Sequence, residues 1–174
     1  DNYNSLQGNV IKGNLVVPVL GSGTSCTEYE VLTGNSALFL QGGVTPYQMY
    51  SKSHEYGMAS TLKDQGYNTI AMHPNLATNW NREMVYRYMG FENFYSDQSY
   101  LGYDILRGFI SDKGDYDFII DSIKNKEYGQ KTFIFNVTMQ NHGGYLDEYE
   151  NFSPEVNIEG YTREYPDVDN YLSL

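Results

Sequence analysis

The residues best suited to chemistry are one threonine, two histidines, a tryptophan and an arginine. Thr24 closes Gly21-Ser22-Gly23-Thr24, which follows the apolar run Asn14 to Leu20 and precedes a helix-like segment, Thr27 to Thr33, stopped by Gly34-Asn35. Glycines let a chain turn sharply and approach a ligand closely. A helix N-terminus offers free N–H groups and partial positive charge to a phosphate or sulfate. A hydroxyl held there can attack an esterified anion while the dipole steadies the developing charge. Taken alone, the same residues make a strand–turn–helix junction with Thr24 or Ser25 as N-cap. Farther on, His73-Pro74 is followed by Trp80-Asn81-Arg82, and His142 closes Thr138-Met139-Gln140-Asn141-His142. Arg82 could grip a phosphoryl oxygen with its planar fork and Trp80 could cover a small polyol. Each has a plainer alternative, a core tryptophan and a solvated arginine in a helix's first turn.

These residues need a scaffold that brings them together, and the pattern predicts one. Residues 14–20 and 67–72 read as strands, and 131–138 is the strongest strand, apolar enough to lie in a parallel sheet covered on both faces. Residues 54–65 and 80–89 read as helices stopped by Gly66 and Gly90, and 116–126 as a third, with Phe118, Ile119, Ile120 and Ile123 on its apolar side. Residues 37–40 read as a loop packed on the core, 91–95 as a short edge strand and 96–113 as loop. A last helix begins near Val168. The order predicts an α/β domain with a mainly parallel sheet flanked by helices. Ligands of such sheets sit beyond the carboxyl ends of the strands. Thr24, His73 and His142 each follow a predicted strand, so all three fall on one rim.

Composition narrows the partners. The chain has 174 residues and a net charge of -11, with no basic patch to hold a nucleic-acid backbone. A 40% hydrophobic fraction supports a folded domain. No apolar run reaches the roughly 18 residues of a membrane span. Cys26 is the single cysteine, so no internal disulfide forms.

The block Gly23-Thr24-Ser25-Cys26-Thr27-Glu28-Tyr29-Glu30-Val31-Leu32-Thr33-Gly34 resembles the Gly-Thr-Ala-Asn-Thr-Glu-Phe-Glu-Val-Leu-Thr-Gly block of lipoteichoic acid synthase-like proteins, in the sulfatase/alkaline phosphatase superfamily. Pro46-Tyr47-Gln48, Gly66-Tyr67, His73-Pro74, Trp80-Asn81-Arg82, Gly90-Phe91 and Thr138-x-x-Asn141-His142 fall in that family's order. The resemblance covers nearly the whole chain. It implies that Thr24 is the nucleophile and a ligand of a divalent metal, Mn²⁺ or Mg²⁺. It also implies that His73, Trp80, Arg82 and His142 form the glycerol-phosphate pocket, with His142 as general acid. The implied enzyme takes glycerol phosphate from phosphatidylglycerol through a phospho-threonine and passes it to a teichoic-acid or glycan acceptor. That chemistry belongs to the extracellular face of a bacterial membrane, on a domain anchored by transmembrane helices absent from this chain. Other phosphodiesterases and sulfatases of the superfamily, and a non-catalytic phosphoglycerol-binding module, are the alternatives.

The chain also departs from that pattern. No Pro-x-Arg follows Cys26, so the modified-cysteine sulfatase signature is absent and Cys26 reads as a small buried residue. The family's upstream metal-binding Glu and its Asp-His pair are missing, and of the metal ligands only Thr24 is present. The expectation is that residues 1–174 are the N-terminal part of a single catalytic domain, truncated at both ends. Such a piece has an incomplete metal site and is inactive alone.

Overall fold

The computed structural model describes residues 2–19, 23–146, 148–161 and 164–174. In chain order the elements are α1 (Asn2–Ser5), α2 (Thr24–Thr33), α3 (Pro46–Met49), α4 (Met58–Asp64), β1 (Asn68–Met72), α5 (Arg82–Tyr88), β2 (Asn93–Tyr95), β3 (Ile105–Leu106), β4 (Phe109–Ile110), α6 (Asp112–Lys124), β5 (Thr132–Asn136) and α7 (Pro166–Leu172). Short 3-10 turns cover Ala37–Phe39, Asn79–Asn81 and Asp97–Tyr100.

The main sheet runs β2-β1-β5, and both pairings are parallel. Register sets Ala71 beside Phe94 and Phe135, and Ile70 beside Ile134. Side chains alternate between the faces of a strand, so each row has its own cover. The Ala71 row, with Phe133, meets Tyr29, Leu32, Tyr47, Ala59, Val85, Tyr86, Met89 and Phe91 from α2 to α5 and the turn after it. Tyr86 is the hub, with edge-on ring contacts to Phe91 at 5.4 Å and Phe94 at 5.0 Å. Each fully buried aliphatic side chain here, such as Leu32 or Val85, contributes roughly 1.5–3 kcal/mol. α6 covers the opposite face: Phe118 stacks edge-on to Tyr95 at 5.4 Å, and Ile119 and Ile123 share a hollow with Ile134.

Three local expectations fail. Residues 14–19 form no strand, and Val16 is 90% exposed. An apolar run makes a strand only where it pairs with an edge, and among the described residues β1 is the sole partner of β5. Leu20, Gly21 and Ser22 lie outside the described residues. The run 37–40 is a 3-10 turn that leaves Phe39 89% exposed; only Leu40 packs on the core. β5 is half-buried along its whole length and not fully covered on both faces. Within 96–113 the structure adds a hairpin, β3 with β4, and starts α6 at Asp112 under a Ser111 cap. Cys26 is buried, as expected.

Candidate functional site

A cleft of about 580 Å³ opens where β1 and β5 end. Its walls include Gly23, Thr24, His73, Trp80, Arg82 and His142, so all five singled-out side chains share it. Thr24 is the first residue of α2 and is exposed. The residue before it, Gly23, has φ 80, a left-handed value that glycine adopts without strain. Gly23, not Thr24 or Ser25, holds the N-cap position.

His73 leaves β1 directly and is buried. Its Nδ1–H donates to the Val137 carbonyl at 2.8 Å, just past β5. That bond fixes the tautomer and leaves the Nε2 lone pair as an acceptor. Burial, with the neighbouring Arg82 charge, pushes the imidazole down from 6.5 to about 4. His73 is therefore neutral near pH 7.

Trp80 and Asn81 stand at φ 56 and φ 59, two adjacent non-glycine residues in the left-handed region. This turn keeps Trp80 out of the core, 37% exposed on the cleft wall, and sets Arg82 at the first position of α5. Arg82 is buried and bound to Glu28: Nη2 donates to Oε1 at 2.6 Å and Nε to Oε2 at 3.3 Å. Tyr47 and Tyr86 also donate to Glu28 Oε2, at 3.1 and 2.7 Å. Burial, then the Glu28 charge, holds both phenols well above their ordinary range. Two of the five guanidinium N–H donors serve Glu28, and the residue still lines the cleft. The arginine is neither solvated nor free.

His142 is exposed at the far side of the cleft. Its N–H donates to Met139 O at 3.0 Å and its ring lies 5.7 Å from that of Phe109. Asn75, Asn79 and Tyr145 add polar lining that sequence alone did not single out. Nor did sequence alone single out Glu28, the anchor of Arg82, although it lies one turn after Thr24 on the same helix.

Among the described residues, no three of His, Cys, Asp and Glu come together to hold a metal ion. One threonine hydroxyl is too small a donor set for a divalent cation. The residues present do not by themselves fit the metal that the resemblance implies. Nor, among them, is any helix long and apolar enough to cross a membrane.

Comparison with known proteins agrees with this architecture. Residues 5–174 match the family model described as Sulfatase. The chain is 35% identical over 133 residues to a protein of Rhizobium meliloti (strain 1021) named for cyclic beta-1,2-glucan modification; the match covers 76% of this chain and 20% of that protein's length. The fold is similar to the lipoteichoic acid synthase LtaP from Listeria monocytogenes, with TM-score 0.76, 22% identity, and coverage of 90% of this chain and 37% of that one. It is similar to the Streptococcus pyogenes phosphoglycerol transferase GacH, solved with sn-glycerol-1-phosphate, with TM-score 0.68, 24% identity, and coverage of 90% and 42%. A Vibrio parahaemolyticus protein of the alkaline phosphatase superfamily matches with TM-score 0.63, 21% identity, and coverage of 86% and 35%. The parallel sheet flanked by helices is thus the alkaline phosphatase/sulfatase fold, present in part.

Proposed function

The chain belongs to the sulfatase family, and from that premise we propose that it is the N-terminal part of the catalytic domain of a phosphoglycerol transferase. One observation carries this: Thr24, His73, Trp80, Arg82 and His142 reach a single cleft from separate segments. Thr24 Oγ1 attacks the phosphorus of phosphatidylglycerol. A bond from phosphorus to Thr24 forms as the bond to the diacylglycerol oxygen breaks, and His142 gives that oxygen its proton. Glycerol phosphate stays on Thr24 as a phosphodiester. An acceptor hydroxyl then attacks the same phosphorus, leaves its proton on His142, and frees Thr24.

The other residues hold the group. Neutral His73 accepts a hydroxyl through Nε2, Trp80 covers the glycerol face, and Arg82 meets the phosphoryl oxygens. Thr24 enters the cycle as the alkoxide and is returned as the alkoxide; none of the described residues hydrogen-bonds its hydroxyl. A divalent ion, Mn²⁺ or Mg²⁺, would need ligands beyond Thr24. The name of the Rhizobium relative supports a glycan acceptor, and that of the Listeria structure a teichoic acid. Either acceptor suits a reaction on the outer face of a bacterial membrane.

Diacylglycerol release from labelled phosphatidylglycerol by the full-length protein, supplied with Mn²⁺, is the test. Release should fall by about a thousandfold or more in Thr24→Ala. Near-normal release by that variant would discard the nucleophile. Label found as free glycerol phosphate, not on a glycan or teichoic chain, would make the enzyme a hydrolase. Binding of glycerol phosphate with no release would make it a binding module.

A further inference from the structure

Arg107 lies just behind the cleft. It and Gly108 form the two-residue turn between β3 and β4, at φ 59 and φ 96. Both residues of such a turn need positive φ, a position that Asn or Asp fills most easily. An arginine there is unusual, and this one is also buried, with 2% exposure. Its Nη2 donates to the His142 carbonyl at 3.1 Å. Phe109, Tyr145 and Tyr149 surround the guanidinium, with ring centroids 5.8, 5.3 and 5.3 Å from its central carbon. Nη1 is buried without a hydrogen-bond partner. None of the ion pairs among the described residues includes Arg107. The aromatic faces attract the charge but do not cancel it, and a buried guanidinium without a carboxylate is costly to keep.

The cleft has a matching deficit. Arg82 is the permanently charged residue of its described lining, and Glu28 cancels that charge; His142 is charged only while it holds the proton it gives to the leaving oxygen. His73 is neutral. The whole chain carries -11, a field that opposes an anion. Something must favour a phosphate over a neutral polyol.

We propose that Arg107 supplies that preference, as a positioning and specificity residue acting through the His142–Gly143 peptide. Donation into the His142 carbonyl polarises this peptide unit, whose N–H belongs to Gly143 on the cleft wall. The guanidinium adds a positive charge behind the same wall, paired with no carboxylate among the described residues. The ligand class selected is a phosphate ester anion. The inference rests on the phosphoglycerol reading of the cleft.

The test is equilibrium binding to the full-length protein carrying Thr24→Ala, with sn-glycerol-1-phosphate, inorganic phosphate and neutral glycerol as probes. Arg107→Gln and Arg107→Lys are compared after thermal melts confirm folding. Arg107→Gln should weaken both phosphate probes about tenfold and leave glycerol unmoved, and Arg107→Lys should stay within about threefold of the parent. Equal phosphate binding by Arg107→Gln, parallel loss of glycerol, or an equal loss in Arg107→Lys would each overturn it. If Arg107→Gln does not fold, Arg107→Lys decides: retained phosphate affinity supports the charge, and a tenfold loss rejects it. Should the parent bind neither phosphate probe, the reading of the cleft itself falls. Should it bind them whatever stands at 107, only this inference falls.

Discussion

Glu28 accepts from Arg82, Tyr47 and Tyr86 in a space without water access, so its removal strands three donors at once. Glu28→Ala should cost roughly 3–5 kcal/mol, read as a lower urea midpoint. Glu28→Leu combined with Arg82→Met should recover most of that stability without recovering phosphoglycerol binding. If the double variant is as unstable as the single one, the carboxylate is not the cause. Glu28 was not legible as a site residue because its partners lie 19, 54 and 58 positions away. Spacing revealed Thr24, His73, Trp80, Arg82 and His142 as candidates, but not which charges cancel. His73 carries a pH prediction. Its folded-state value lies at about 4, below its ordinary 6.5. Above pH 6.5 both states are neutral and it contributes nothing. Between pH 6.5 and 4 only the unfolded state gains the proton, so stability falls with pH, by roughly 3 kcal/mol in all. Unfolding midpoints at pH 7 and pH 4.5 should differ less in His73→Gln than in the parent.

Among the elements, two glycines separate backbone strain from lack of space. Gly34 ends α2 at φ 73 with open space around it, so Gly34→Ala should cost only about 1 kcal/mol. Gly57 has an extended backbone that any residue adopts, but a Cβ there would stand 2.2 Å from the Leu32 carbonyl oxygen. Gly57→Ala must push α4 off the end of α2, at roughly 1–3 kcal/mol, and thermal melts should rank it below Gly34→Ala. The opposite order would mean that α2 and α4 separate easily. Elements whose signals are local were legible: β1 and β5 from continuous apolar runs, α4 from Gly66, the edge strand β2 from its shortness. Elements that depend on partners were not. Residues 14–19 have a strand's apolar run but pair with neither outer edge of the sheet, and the β3–β4 hairpin hides because an arginine stands where its turn calls for Asn. The start of α6 stands in the chain as the Ser111 cap and an acidic first turn, ahead of the apolar stripe from which the helix is read.

For the whole molecule, the open outer edges of β2 and β5 and the exposed Leu15, Val16 and Phe39 set a hazard that the net charge of -11 partly offsets. Unpaired strand edges recruit other chains. Residues 1–174 expressed alone should sediment as an associating species, more so at high salt as charge repulsion is screened, and Val16→Lys should reduce this. A monomer at all salt concentrations would show that the edges are inert. The same layering puts the cleft at the shared ends of β1 and β5, so His73 and His142 follow strands of the sheet while Thr24 and Arg82 ride on helices. Between them stands the Trp80–Asn81 turn, with both residues left-handed. Such backbone is costly for a tryptophan, of the order of 1–2 kcal/mol, and far less so for an asparagine. Selection for heat resistance alone would therefore find Trp80→Gly early and reward it. What it would favour is a tougher protein that has lost the ring from its cleft wall.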